Sequence, residues 1–100
     1  MKMLILACNI SMVDKVTDIL LKEKIDSWQA IENVKGKLPS MLPHMDSAVW
    51  PGYNALFLIQ AMETETKKVL EACYSLNSES LNQDEMIYGW SLEVNSFLNN

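Results

Sequence analysis

The stretch Tyr53 to Met62, YNALFLIQAM, constrains this chain more than any other. Ala55, Phe57, Ile59 and Ala61 alternate with Leu56, Leu58 and Met62, and only Gln60 interrupts the second set. A strand that is apolar on both sides belongs in the middle of a sheet, with something packed against each face. Met1 to Asn9 has the same character, with Met1, Met3, Ile5 and Ala7 opposed to Leu4, Leu6 and Cys8, so it is predicted to lie beside Tyr53–Met62.

The other segments arrange themselves around this pair. Ser11 begins SMVD, a start resembling a capping box with Asp14 in place of the usual Glu, and predicts a helix to about Lys24. Its apolar stripe is Val13, Val16, Ile19 and Leu20, and its charges read as a solvated face paired at Asp18 and Lys22. Trp28 to Lys35 alternates less cleanly and contains Glu32 and Asn33, as an edge strand ended by Gly36 would. A second helix is predicted from Glu63 to about Leu76, with Val69, Leu70, Cys73 and Tyr74 buried and Glu63 and Glu65 at its positive end. Glu63 and Lys67 are expected to pair on its surface. Polar Ser75 to Glu85 then reads as a frayed helix end and loop, and Met86 to Val94 as a last, half-buried strand. In the tail, Asn95 to Asn100, only Phe97 and Leu98 could serve as anchors.

The order strand, helix, strand, strand, helix, strand is the ferredoxin-like α+β arrangement. It places the first and third strands centrally in an antiparallel four-stranded sheet, with both helices on one face. Residues 1–100 are read as a single domain of this type. The second face is then apolar and bare, which predicts burial against further copies of the chain in a homo-oligomer.

Between the second and third strands runs Lys37 to Pro51, KLPSMLPHMDSAVWP, interrupted by Pro39, Pro43 and Pro51 and closed by Gly52. The prolines forbid a regular helix or a central strand, and a long connection inside a compact domain is usually mobile or functional. Its apolar residues, Leu38, Met41, Leu42, Val49 and Trp50, are unusual for a purely solvated loop. Met41, His44 and Trp50 are the candidate partner-contacting residues. Lys35, Gly36, Lys37 and Gly52, at the two bases of the loop, are the candidate ligand-binding residues, because glycine permits close backbone approach and lysine supplies positive charge.

Charge narrows the function further. The net charge is −5, and all eight basic residues are lysine, so no arginine fork is available for phosphate or carboxylate. No nucleic-acid partner is expected, since the central strand carries no basic residue. Cys8 and Cys73 stand far apart in apolar segments, as buried free thiols in a reducing compartment do. No segment approaches the roughly 20 apolar residues of a membrane span, and the apolar start is too short for a signal peptide, so a cytoplasmic protein is expected that is not membrane-embedded.

Several features together resemble the nitrogen regulatory PII family and its relatives with shorter loops. They are Val34-Lys35-Gly36 closing the second strand, the long loop returning into an apolar third strand, the second helix, and Trp90 to Val94, WSLEV, in the last strand. The resemblance implies a cytoplasmic homotrimer that senses a small ligand in clefts between subunits and contacts a transporter or regulatory protein through loop 37–51. No Cys/His or Ser/His/Asp spacing is present, so no enzymatic activity and no catalytic residue is expected, and the cofactor is left unspecified. The family's phosphate-binding loop, rich in glycine and carrying lysine, is replaced here by Ser75 to Glu85 with Glu79, Asp84 and Glu85, which predicts weak or absent ATP binding. The alternative is a metal-binding trimer similar to the CutA family, prompted by Met41, His44, Met45 and Asp46. A single histidine among scattered methionines has no ligand-spacing signature, so no metal-site residue is assigned. Acyl phosphatase chemistry on a ferredoxin-like fold needs an arginine cradle, which this chain lacks.

Overall fold

The computed structural model describes residues 1–98, so the last two residues of the Asn95–Asn100 tail lie outside it. Its strands are β1 (Lys2–Asn9), β2 (Ser27–Val34), β3 (Asn54–Ala61) and β4 (Tyr88–Glu93), and its helices are α1 (Val13–Lys22) and α2 (Glu63–Glu79). The sheet order is β2-β3-β1-β4 with every pairing antiparallel, so β1 and β3 are central as their two-sided apolarity requires. This is the α+β, ferredoxin-like βαββαβ arrangement. Among the described residues no helix is long and apolar enough to cross a membrane.

Register divides the side chains between the faces. Leu4, Leu6 and Cys8 lie opposite Ile59, Phe57 and Ala55, and all six are fully buried with Val16 and Leu20 of α1 and Val69 of α2. Both helices therefore cover this face. The other face presents Met3, Ile5, Leu56 and Leu58, flanked by Ile31 on β2 and by Trp90 and Leu92 on β4. Trp90 is 50% exposed and Leu92 53%. The apolar stripe of the last strand thus belongs to the bare face, while Ile87, just before it, is the residue that enters the core.

The helix boundaries differ from those the sequence suggests. A 3-10 turn, Ile10–Met12, precedes α1, and it is Asn9, whose side chain accepts the Ser11 N–H, that caps this turn; Met12 at the start of α1 makes no side-chain cap. At the start of α2, Glu65 accepts the Met62 N–H at 2.9 Å, satisfying an otherwise free donor. The helix runs on to Glu79 instead of fraying at Leu76, since Ser75–Glu79 contains no breaker. Tyr74 is exposed, not buried: it falls outside the stripe formed by Thr66, Val69 and Cys73. Among the described residues the lysine–carboxylate pair that closes is Lys2–Glu93, while Asp18–Lys22 and Glu63–Lys67 do not close. Lys2 and Glu93 face each other across β1 and β4 at 2.6 Å, which raises the lysine pKa and lowers that of the carboxylate.

Candidate functional site

Loop 37–51 contains no strand or helix, as its prolines dictate, yet its backbone is tied at both bases. Gly36 and His44 form an isolated antiparallel bridge, with N–H to O distances of 2.9 and 2.8 Å in the two directions. On the returning limb, Met45 N–H donates to Trp50 O and Asp46 N–H to Gly52 O, closing a tight turn stapled by Ser47. Gly52 has φ +90°, and a Cβ there would lie 3.7 Å from the His44 ring. Its freedom to adopt a left-handed conformation is what lets the limb re-enter β3 beside the imidazole.

His44 is the centre of this arrangement. It is 6% exposed, with Nδ1 2.6 Å from Asn54 Oδ1 and Nε2 3.2 Å from Asp84 Oδ2. Asp84 lies in a 3-10 turn, Gln83–Glu85, capped by the Asn82 side chain, and its Oδ2 also accepts from Asn9 Nδ2 at 2.8 Å. Asn9 and Asn54 are register partners, and they continue the rows Met3-Ile5-Ala7 and Gln60-Leu58-Leu56 on the bare side of the sheet. The loop is therefore folded onto one end of that face. Two tyrosines fasten it further: the Tyr53 hydroxyl donates to Asp46 and the Tyr88 hydroxyl to the Pro39 carbonyl. The Asp46 carboxylate and burial raise the Tyr53 pKa, the hydrogen bond being the larger cause.

The residues expected at the loop bases are brought together in part. Gly36 and Gly52 lie on either side of His44, while Lys35 and Lys37 flank the bridge with exposed side chains. Of the residues expected to meet a partner, Trp50 is 41% exposed, but Met41 and His44 are turned inward and buried. Leu42, Met45 and Val49 are exposed instead. Sequence reasoning missed Asp84, Asn9 and Asn54. Asn9 and Asn54 sit at strand ends and Asp84 in a separate turn, and nothing in their spacing ties them to a histidine in the loop.

A cleft of about 360 Å³ separates Ser40, Met41 and Leu42 of the loop from Asn82, Gln83 and Asp84 of the turn. A larger groove, about 570 Å³, opens between α2 and β4 and is lined by Leu70, Glu71, Cys73, Tyr74, Ile87 and Gly89 among others. Lys35, Gly36, Lys37 and Gly52 line neither cavity, and the amide of Asn77 in the larger one is spent on the Ile87 backbone. The smaller cleft is the better functional candidate because its Asp84 wall joins the polar cluster of His44, Asn54 and Asn9. Among the described residues no three His, Cys, Asp or Glu side chains gather as a metal site, and protein atoms engage both His44 nitrogens.

No protein-family model matches the sequence, and no curated protein matches it. Solved structures do match in shape. CPII, a nitrogen regulatory PII-like protein from Thiomonas intermedia K12, in its structure with ADP, AMP and bicarbonate, has a TM-score of 0.69 at 12% identity; the match covers 95% of this chain and 88% of that one. The present chain has the PII-like fold. The apo form of CPII matches with a TM-score of 0.64 at 13% identity over 93% of this chain and 89% of that one. A PII-like signalling candidate from Thermus thermophilus matches with a TM-score of 0.62 at 10% identity over 91% of this chain and 83% of that one. In this PII-like fold, β2 and β3 carry the long loop between them, and the turn holding Asp84 reaches the base of that loop from the far side of the sheet.

Proposed function

We propose that this chain is a cytoplasmic, homotrimeric PII-like regulatory protein, not an enzyme, which senses a small ligand in clefts between subunits and contacts a protein partner through loop 37–51. The observation that carries this reading is the likeness to CPII over 95% of the chain, a protein seen with ADP and bicarbonate bound. The bare sheet face supports the oligomer. Met3, Ile5, Leu56, Leu58, Trp90 and Leu92 form an apolar surface that a lone subunit would leave in water. Lys35, Gly36, Lys37 and Gly52 supply the ligand side of the cleft, with a neighbouring subunit completing it.

The implied mechanism is a population shift. The loop's internal bonds hold one arrangement, and a ligand at its base changes which arrangement the exposed Leu42, Val49 and Trp50 present to the partner. Native mass spectrometry of the freshly purified protein tests this by reading subunit number and retained ligand in one measurement. A trimer carrying a small anion or nucleotide is expected, whereas a ligand-free, stable monomer at micromolar concentration overturns the proposal.

A further inference from the structure

The His44 ring stands between two oxygens. Nδ1 meets Asn54 Oδ1 and Nε2 meets Asp84 Oδ2, the latter already held by Asn9 Nδ2. A neutral imidazole has one N–H and one lone pair, so it can donate to only one of these oxygens. The imidazolium donates to both. The 2.6 Å distance to Asn54 is shorter than the usual ~2.9 Å between neutral groups and is the closer of the ring's two contacts, against 3.2 Å to Asp84.

We propose that protonated His44 is a latch that holds loop 37–51 to the turn at Asp84, and that loss of the ring proton releases the Asp84 side and loosens the loop base. The groups around the ring leave Asp84 as its partner in charge. From β3 comes the amide of Asn54, and from β1 that of Asn9; the loop's own Asp46 is engaged by the Tyr53 hydroxyl. Lys35 and Lys37, either side of Gly36, are exposed, and Glu85 follows Asp84 in the turn. When the proton leaves, the Nδ1–H keeps the shorter bond to Asn54, and the Nε2 lone pair is left facing a carboxylate. Because the Gly36–His44 bridge is built on the backbone of the same residue, the release is felt at the loop base. The latch concerns the conformation of the loop and stands independently of which ligand the protein binds.

The chain has a single histidine, so its ring gives one unambiguous set of nitrogen and carbon resonances. The test is to follow these by NMR between about pH 5 and 8, the ordinary range of histidine titration, alongside amide exchange at Gly36 and His44 corrected for intrinsic rate. Exchange protection at both amides is expected to fall roughly tenfold as the ring deprotonates, the size of one charge-assisted hydrogen bond. In Asp84→Asn the two amides should lose this dependence while the core amides stay unchanged. A neutral ring protonated at Nε2 throughout, with the Asn54 amide turned over to donate to Nδ1 and exchange independent of pH, overturns the latch. The wild-type titration decides the matter even if the variant does not fold.

Discussion

Asn77 grips Ile87 by both backbone groups: its Nδ2 donates to the Ile87 carbonyl at 2.8 Å, and its Oδ1 accepts the Ile87 N–H at 2.8 Å. The last turns of α2 are thereby fixed to the start of β4, and the chain between them, with Asp84 in its turn, is closed into a loop of set length. Ile87 is 5% exposed, so neither backbone group has water as a ready substitute.

Asn77→Ala is expected to lower unfolding stability by about 2 kcal/mol, since two polar groups at a buried residue lose their partner at once. Chemical denaturation measures it. A loss below about 0.5 kcal/mol, the range of ordinary surface changes, would show that the segment relaxes to find other partners.

Gly89 permits the close approach of β4 to the core. A Cβ at this position would sit 2.8 Å from Leu6 Cδ2 and 3.4 Å from Leu70 Cδ2, and Leu6 is wholly buried. Gly89→Ala should therefore destabilise by roughly 1–3 kcal/mol through overpacking, despite the usual gain from replacing a strand glycine. An unchanged denaturation midpoint would mean that Leu6 repacks freely.

The thiols give a pH dependence whose sign follows from burial. Desolvation pushes Cys8 up to about 12 and Cys73 up to about 11, with a smaller contribution to Cys8 from the neighbouring Cys73. A raised folded-state value favours folding while both states are protonated. That contribution is lost as pH rises past the unfolded value of 9.0 towards the folded ones. Stability should decline above about pH 9, and less so in Cys8→Ala and Cys73→Ala when each is compared with its own neutral-pH value. In the native state both thiols should react slowly with Ellman's reagent, and rapid labelling at neutral pH would contradict their burial.

Trp90 and Leu92 face away from the helices beside Ile5 and Met3. Trp90→Lys places a charge at the β4 side of the surface proposed to join subunits, so light scattering at micromolar concentration should show a fall from trimer to monomer. A variant with the wild-type mass would move the interface elsewhere.

Much of this architecture was legible because hydrophobic alternation reports directly on burial. Ala55, Phe57, Ile59 and Ala61 against Leu56 and Leu58 fixed β3 as central, and the bare face followed from counting what two helices can cover. Local pattern failed where a distant partner decided the outcome. Asn77 lies in a polar run that looks like a fraying end, and it is helical while it holds Ile87. His44 looked like a loop residue available to a partner, but its ring is tied to Asp84, 40 positions away in sequence. No periodicity encodes a polar contact of that separation. The short links that build the loop base, such as Gly52 beside His44, depend on a backbone angle that glycine permits without requiring.

The strongest test of the proposed ligand site is a comparison of ATP, ADP and AMP by calorimetry. Positive charge near the loop base comes from Lys35 and Lys37, and the turn facing it carries Asp84 and Glu85 with no lysine. Each further phosphate charge brought within a few ångströms of those carboxylates costs on the order of 1 kcal/mol, a five- to tenfold loss of affinity. ATP should accordingly bind weakly or not at all and less tightly than ADP or AMP, and Lys37→Ala should weaken whatever binding is seen. Submicromolar ATP binding would mean that a neighbouring subunit supplies the missing charge. If no nucleotide binds at all while loop variants such as Trp50→Ala still lose a protein partner, the chain acts through its loop as an interaction module.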